Sequence, residues 1–161
     1  MGFRFYIIAI HVLIASSLRG QNPAQRLPAF KFFKLDQQPF TDRDIPDGKK
    51  TLFIFFDVDC DHCQHTIAGF DHSYKSFAQA KIYLVSLNSP VQMSLFMTTF
   101  GPHLKVQKNV VLLQDSLNQF IYKFQPIKYP SMFLYAADKK LLDYEDNEGT
   151  IFRLENAMNK K

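Results

Sequence analysis

The sequence predicts an α/β domain with a mixed central sheet flanked by helices, from three features. Thr51 to Val58, TLFIFFDV, is a nearly continuous apolar and β-rich run, the pattern of an inner strand covered on both faces. From Cys63 onward the apolar residues switch to helical spacing, with Ile67, Phe70, Tyr74 and Phe77 at steps of three, four and three. Short β-rich runs and amphipathic segments then keep alternating, and the chain closes on a hairpin and a last helix. At 161 residues, 47% hydrophobic and 15% aromatic, the chain is long enough to bury one such core. That composition excludes global disorder, and 6 Gly and 8 Pro exclude a collagen-like or low-complexity chain.

In chain order, residues 1–20 read as a signal peptide or N-terminal anchor. Arg4 leads into an apolar run from Phe5 to Ala15, broken only by His11, and small residues follow at Ser16, Ser17 and Gly20. The run falls short of the roughly 20 apolar residues of a membrane span. Cleavage after Ser17 or after Gly20 is open, and no Cys follows to accept a lipid. The destination is extracytoplasmic, a bacterial periplasm or beyond, where two nearby thiols rest as a disulfide unless a partner reduces them.

Residues 21–28 are a polar linker, and 29–161 form the domain. Ala29 to Leu35 and Pro39 to Ile45 pair as an extra N-terminal β-hairpin, and Pro46-Asp47-Gly48 turns the chain because proline fixes φ and glycine tolerates positive φ. After the run at Thr51 and the helix beyond Cys63, Lys81 to Leu87 is a strand. Pro90 to Phe100 is a helix with proline at its first turn. Val110 to Leu113 is a short strand, and Ser116 to Phe124 a helix whose buried stripe is Leu117, Phe120, Ile121 and Phe124. Ser131 to Ala136 and Leu141 to Glu145 flank a turn at Ala137 to Lys140, and Thr150 to Met158 is the last helix. The aromatic residues Phe96, Phe100, Phe120 and Phe124 are expected in the core. With 19 basic against 15 acidic residues the net charge is +4, and the basic residues form only scattered pairs. No stripe is available to track a phosphate backbone, which argues against nucleic-acid binding.

The two cysteines stand three apart where the first inner strand gives way to a helix: Cys60-Asp61-His62-Cys63. A helix N-terminus offers unpaired N–H groups and the positive end of the dipole, both of which favour a thiolate, the attacking species in disulfide exchange. Asp57, Asp59 and Asp61 place opposing negative charge around the same sulfur.

Phe53 to Cys63, FIFFDVDCDHC, resembles the active-site segment of the thioredoxin superfamily. The exported start and N-terminal hairpin resemble its TlpA-like branch. Tyr129 to Leu134, YPSMFL, is similar to the segment in which a cis-proline precedes a strand and lies against the redox pair. The resemblance implies a thioredoxin-like fold over residues 29 to 159 and an exported thiol-disulfide oxidoreductase. It makes Cys60 the nucleophile, Cys63 the resolving thiol, and Tyr129 and Pro130 a ledge that aligns the client. His62 resembles the histidine of the C-P-H-C motif in strongly oxidising relatives and would modulate the thiolate. No bound cofactor and no metal are implied. The implied partners are client protein thiols or disulfides and an upstream membrane or soluble thiol redox partner.

Three departures qualify the match. Asp59 stands where thioredoxins carry a tryptophan, Ile54 where they carry a buried aspartate, and Thr66 where several TlpA-like proteins carry a glutamate. Proton transfer from Cys63 is left to water, to His62 or His65, or to a group the sequence does not reveal. Three alternatives remain open. A peroxiredoxin-like thiol peroxidase would have a threonine near Asp57 and Val58 and an arginine across the pocket. A non-catalytic binding module would hold the pair as an inert disulfide. A copper-handling protein would use Cys60, His62, Cys63 and His65 with His72 or His103, though their spacing fits no simple finger.

Overall fold

The computed structural model describes residues 22–160. The segment read as an export signal and the first linker residue, Gln21, therefore lie outside the described residues. Seven strands form one sheet: β1 (Lys31–Lys34), β2 (Pro39–Thr41), β3 (Thr51–Phe55), β4 (Lys81–Ser86), β5 (Val110–Gln114), β6 (Ser131–Tyr135) and β7 (Leu141–Glu145). The helices are α1 (Asp61–Phe77), α2 (Pro90–Phe100), α3 (Pro102–Lys105), α4 (Gln119–Phe124) and α5 (Ile151–Asn159). The sheet order is β2-β1-β5-β4-β3-β6-β7. β3 runs parallel to β4 and antiparallel to β6, β4 and β5 are parallel, and β1 pairs antiparallel with both β2 and β5. The N-terminal hairpin is thus stitched to the edge of the parallel strands.

Alternation along β3 divides two cores. Leu52, Ile54 and Phe56 face the layer of α1, α2, α3 and α5, together with Met132 and Leu134. Phe53 and Phe55 face the hairpin and α4, together with Tyr83, Val85, Phe133 and Tyr135. The second layer is almost wholly aromatic: Phe120 and Phe124 stack at 4.0 Å, Phe55 stacks on Phe120 at 4.3 Å, and Phe133 meets both α4 rings edge-on. Both geometries suit the ring quadrupole, and they account for much of the phenylalanine content as packing. The four phenylalanines read as core do not share a layer. Phe96 and the half-buried Phe100 belong to the α1 side, and Phe120 and Phe124 to the α4 side.

Most element boundaries agree with the sequence reading, and the turn at Pro46 to Gly48 has Gly48 at φ 73°. α4 departs from it. The helix begins at Gln119, three residues later than expected, after Asn118 in the left-handed region. Buried Asp115 accepts the N–H groups of Gln119 and Phe120 at 2.9 and 2.6 Å, so capping fixes the start there. Leu117, ahead of the helix, is 54% exposed and Ile121 is 40% exposed, so only Phe120 and Phe124 of the expected stripe are buried.

Candidate active site

The chain leaves the sheet after β3 through a tightly bonded turn. Phe56 still donates to the Val85 carbonyl at 3.0 Å. Val58 N–H then donates to Asn88 Oδ1 at 3.2 Å, and Ser86 Oγ donates to the same oxygen at 2.6 Å. Asp57 Oδ1 accepts the Asp59 N–H at 2.9 Å, and the Asp57 carbonyl accepts the Cys60 N–H at 3.4 Å. This Asx-type turn delivers Cys60 to the N-cap of α1, where its carbonyl accepts from Cys63 and Gln64 at 3.0 and 3.1 Å.

Both cysteines are free thiols in mutual hydrogen-bond contact, but their settings differ. Cys60 is half-buried at the head of the helix, and Cys63 is fully buried. Burial pushes the Cys63 thiol well above the usual thiol range. A hydrogen bond from the Asp57 N–H partly offsets this, while the hydrogen bond with Cys60 and the charges of Cys60 and Asp57 add to it. One sulfur can meet a partner from solution and the other is held protonated beneath it.

The Tyr129–Pro130 bond is cis, as the sequence reading anticipates. Pro130 is buried, and half-buried Tyr129 stacks on Phe55 at 4.7 Å. The Tyr129 hydroxyl is pushed up to about 12 by burial and by the charges of Asp57, Cys63, Asp115 and Cys60, so the ring lies within electrostatic reach of both thiols. Among the described residues, the Tyr129 N–H and carbonyl have no main-chain partner. Val58 and Asp59, in the turn that leads to Cys60, line an open groove of about 280 Å³ with Gln92, Leu95, Phe96 and Phe100.

The histidines are placed otherwise than the motif suggests. His62 and His65 each bring Nδ1 to 3.1 Å from one oxygen, Oε2 of Glu148, and are 71% and 73% exposed. The two hydrogen bonds, His62 first, hold the Glu148 carboxyl below the usual carboxylate range. No local pattern reveals Glu148, since it lies 86 residues from His62, in the 3-10 turn ahead of α5. The i, i+3 spacing shows only that the two imidazoles share a helix face. His103 bonds Asp71 at 2.7 Å at the α1–α3 contact, and neither it nor His72 joins the cysteines. Among the described residues, no group of three His, Cys, Asp or Glu side chains is arranged to hold a metal ion.

A model of the AhpC/TSA family matches residues 23–143. No sequence among the curated proteins matches. Among solved structures, the chain is similar to peroxidoxin BcpB of Mycobacterium tuberculosis at TM-score 0.69 and 12% identity, covering 86% of this chain and 97% of that one. It is also similar to a secreted Mycobacterium tuberculosis disulfide oxidoreductase homologous to E. coli DsbE, at TM-score 0.64 and 16% identity over 80% and 93% of the two chains. A thioredoxin-like protein from Aeropyrum pernix aligns at TM-score 0.67 and 11% identity over 81% and 88%. At these identities the likeness is one of fold, and the fold is thioredoxin-like.

Proposed function

The chain belongs to the AhpC/TSA family, and from that premise we propose that it is an exported, TlpA-like thiol-disulfide oxidoreductase that exchanges disulfides with client proteins through Cys60 and Cys63. The observation that carries this reading is the asymmetric thiol pair at the head of α1, one sulfur accessible and one buried, beside a cis-proline segment. The Cys60 thiolate attacks one sulfur of a client disulfide, forming a mixed disulfide and releasing the other client sulfur as a thiolate. Cys63 then gives up its proton and attacks Cys60 Sγ, closing the Cys60–Cys63 disulfide and releasing the second client sulfur. Run backwards, the same steps oxidise a client dithiol. The electrons reside in the sulfur pair, so no cofactor is needed, and a membrane or soluble thiol partner resets the pair.

The unpaired backbone of Tyr129 supports strand-like alignment of a client segment, with Pro130 fixing the ledge. The groove at Val58 and Leu95 adjoins the turn that carries Cys60, and an open apolar surface there suits a polypeptide better than a small peroxide. The thiol peroxidase reading is further weakened because the Asp57 carboxylate stands where a hydroxyl donor would be needed. Among the described residues, Arg26 bonds the Asp138 carbonyl, Arg153 pairs with Glu145 and Arg43 lies in the turn after β2, and none of these three contributes charge at Cys63 or Tyr129.

Reduction of insulin disulfides in the presence of dithiothreitol, run beside Cys60→Ser and a hydrogen peroxide assay, tests the proposal. The wild-type chain accelerates insulin precipitation and Cys60→Ser does not. Equal rates with and without the wild-type chain would overturn client exchange, and peroxide consumption outpacing insulin reduction would replace it with peroxidase chemistry.

A further inference from the structure

We propose that the carboxylate of Asp57 accepts the proton from Cys63 in the step that resolves the mixed disulfide. This role rests on the exchange chemistry above and supplies the group that the departures at Ile54 and Thr66 leave missing. Cys63 is sealed and held as a thiol, so it becomes a nucleophile only if a base takes its proton as it attacks.

The other polar groups nearby are unsuited to that task. Ile54 is apolar and the Thr66 hydroxyl is no base. His62 and His65 are both turned outward and bonded to Glu148. Tyr129 keeps its own proton up to about pH 12. Buried Glu145 follows Ile54 and Met132 in one cross-strand row, two strands away, and is paired with Arg153 at 2.8 Å.

Asp57 is different. Its main-chain N–H bonds the Cys63 sulfur, its carbonyl holds Cys60, and its carboxylate is half-buried in the same turn. Oδ1 is occupied by the Asp59 N–H, and Oδ2 has no hydrogen-bond partner among the described residues. Asp57 and Cys60 both act electrostatically on Cys63, the charges of Asp57, Cys63, Asp115 and Cys60 all reach the Tyr129 hydroxyl, and neutral Asn88, itself bonded by Ser86, accepts the adjacent Val58 N–H. In the resolving step the Cys63 S–H proton passes to Asp57. The new thiolate attacks Cys60 Sγ, the Cys60–client S–S bond breaks, and the proton leaves Asp57 for the departing client thiolate or water.

Ellman's reagent, an aromatic disulfide, reads this step without any client. Attack by Cys60 releases one thionitrobenzoate and resolution by Cys63 releases a second, and Cys63→Ser assigns the phases by abolishing the second. Asp57→Asn keeps the acceptor for the Asp59 N–H but is no base. We expect the second phase, relative to the first, to fall about 100-fold at neutral pH. Asp57→Glu, which retains a carboxylate, recovers at least tenfold of that loss. The sign of the effect is decisive. Asp57 also disfavours the Cys63 thiolate by its charge, so a mere bystander would make Asp57→Asn resolve faster. An unchanged or faster second phase, or equal slowness in the Asn and Glu variants, would overturn the assignment. Failure to reduce insulin with normal two-phase kinetics would refute client exchange and leave Asp57 in its role.

Discussion

Thr66 lies one helical turn beyond Cys63, fully buried, and its Oγ1 has no hydrogen-bond partner among the described residues. A sealed hydroxyl without a partner carries a desolvation penalty that an isosteric methyl does not. Thr66→Val is therefore expected to stabilise the chain by about 1 kcal/mol in urea unfolding. Its resolving step with Ellman's reagent should match wild type, because Asp57 and not Thr66 handles the proton. A loss of stability in Thr66→Val would show that the hydroxyl has a partner in solution. At this scale the sequence locates the cysteine pair and the cis-proline and is silent about their surroundings. Cys60, Cys63 and Pro130 could be found because strand, C-x-x-C, helix and a distant X-Pro-strand form a linear pattern. The commitment of His62 and His65 to Glu148 could not, because that contact exists only once α5 has packed beside α1.

Among the elements, α5 ends on a cap supplied by a residue far away in the chain. Lys50, just ahead of β3, directs Nζ to the carbonyls of Ala157 and Met158 at 3.2 and 2.8 Å. The last carbonyls of a helix are unpaired and carry the negative end of its dipole, so an ammonium there satisfies both. Lys50→Met keeps the aliphatic stem and removes the donor. It should cost about 1–2 kcal/mol, with faster amide exchange concentrated in α5, and uniform exchange across the sheet and α5 would count against a local cap. Legibility of the elements follows the same division between local and distant signals. The bounds of α2 were readable because Ser89 and Gln92 form a capping box around Pro90, all within four residues. The start of α4 was not, because its cap comes from Asp115, whose buried position at the end of β5 depends on the sheet. Apolar spacing alone therefore placed Leu117 inside, and the structure leaves it exposed.

For the whole molecule, the aromatic core and the redox pair share one electrostatic consequence. Burial pushes Tyr83 up to about 12 and raises Tyr135 further, and burial likewise raises Cys63. All three are nearly or fully inaccessible. Each holds its proton in the folded chain at a pH where the unfolded chain has released it. The unfolded state then binds fewer protons, so stability falls as pH rises above each group's unfolded value and keeps falling until its folded value is passed. Cys63 enters first, from about pH 9, and the two tyrosines follow from about pH 10. Each group contributes a slope of about 1.4 kcal/mol per pH unit, and the three together about 4, against a total stability on the order of 10 kcal/mol. The reduced chain should accordingly unfold in alkali between about pH 10 and 12. The redox state separates the first contribution from the others, because closing the disulfide leaves Cys63 no thiol to ionise. Urea midpoints of the reduced chain should begin to fall about one pH unit earlier than those of the oxidised chain, and Cys63→Ala should follow the oxidised profile. Coincident profiles for all three would mean that Cys63 ionises as readily folded as unfolded, which its sealed position beneath Cys60 does not allow.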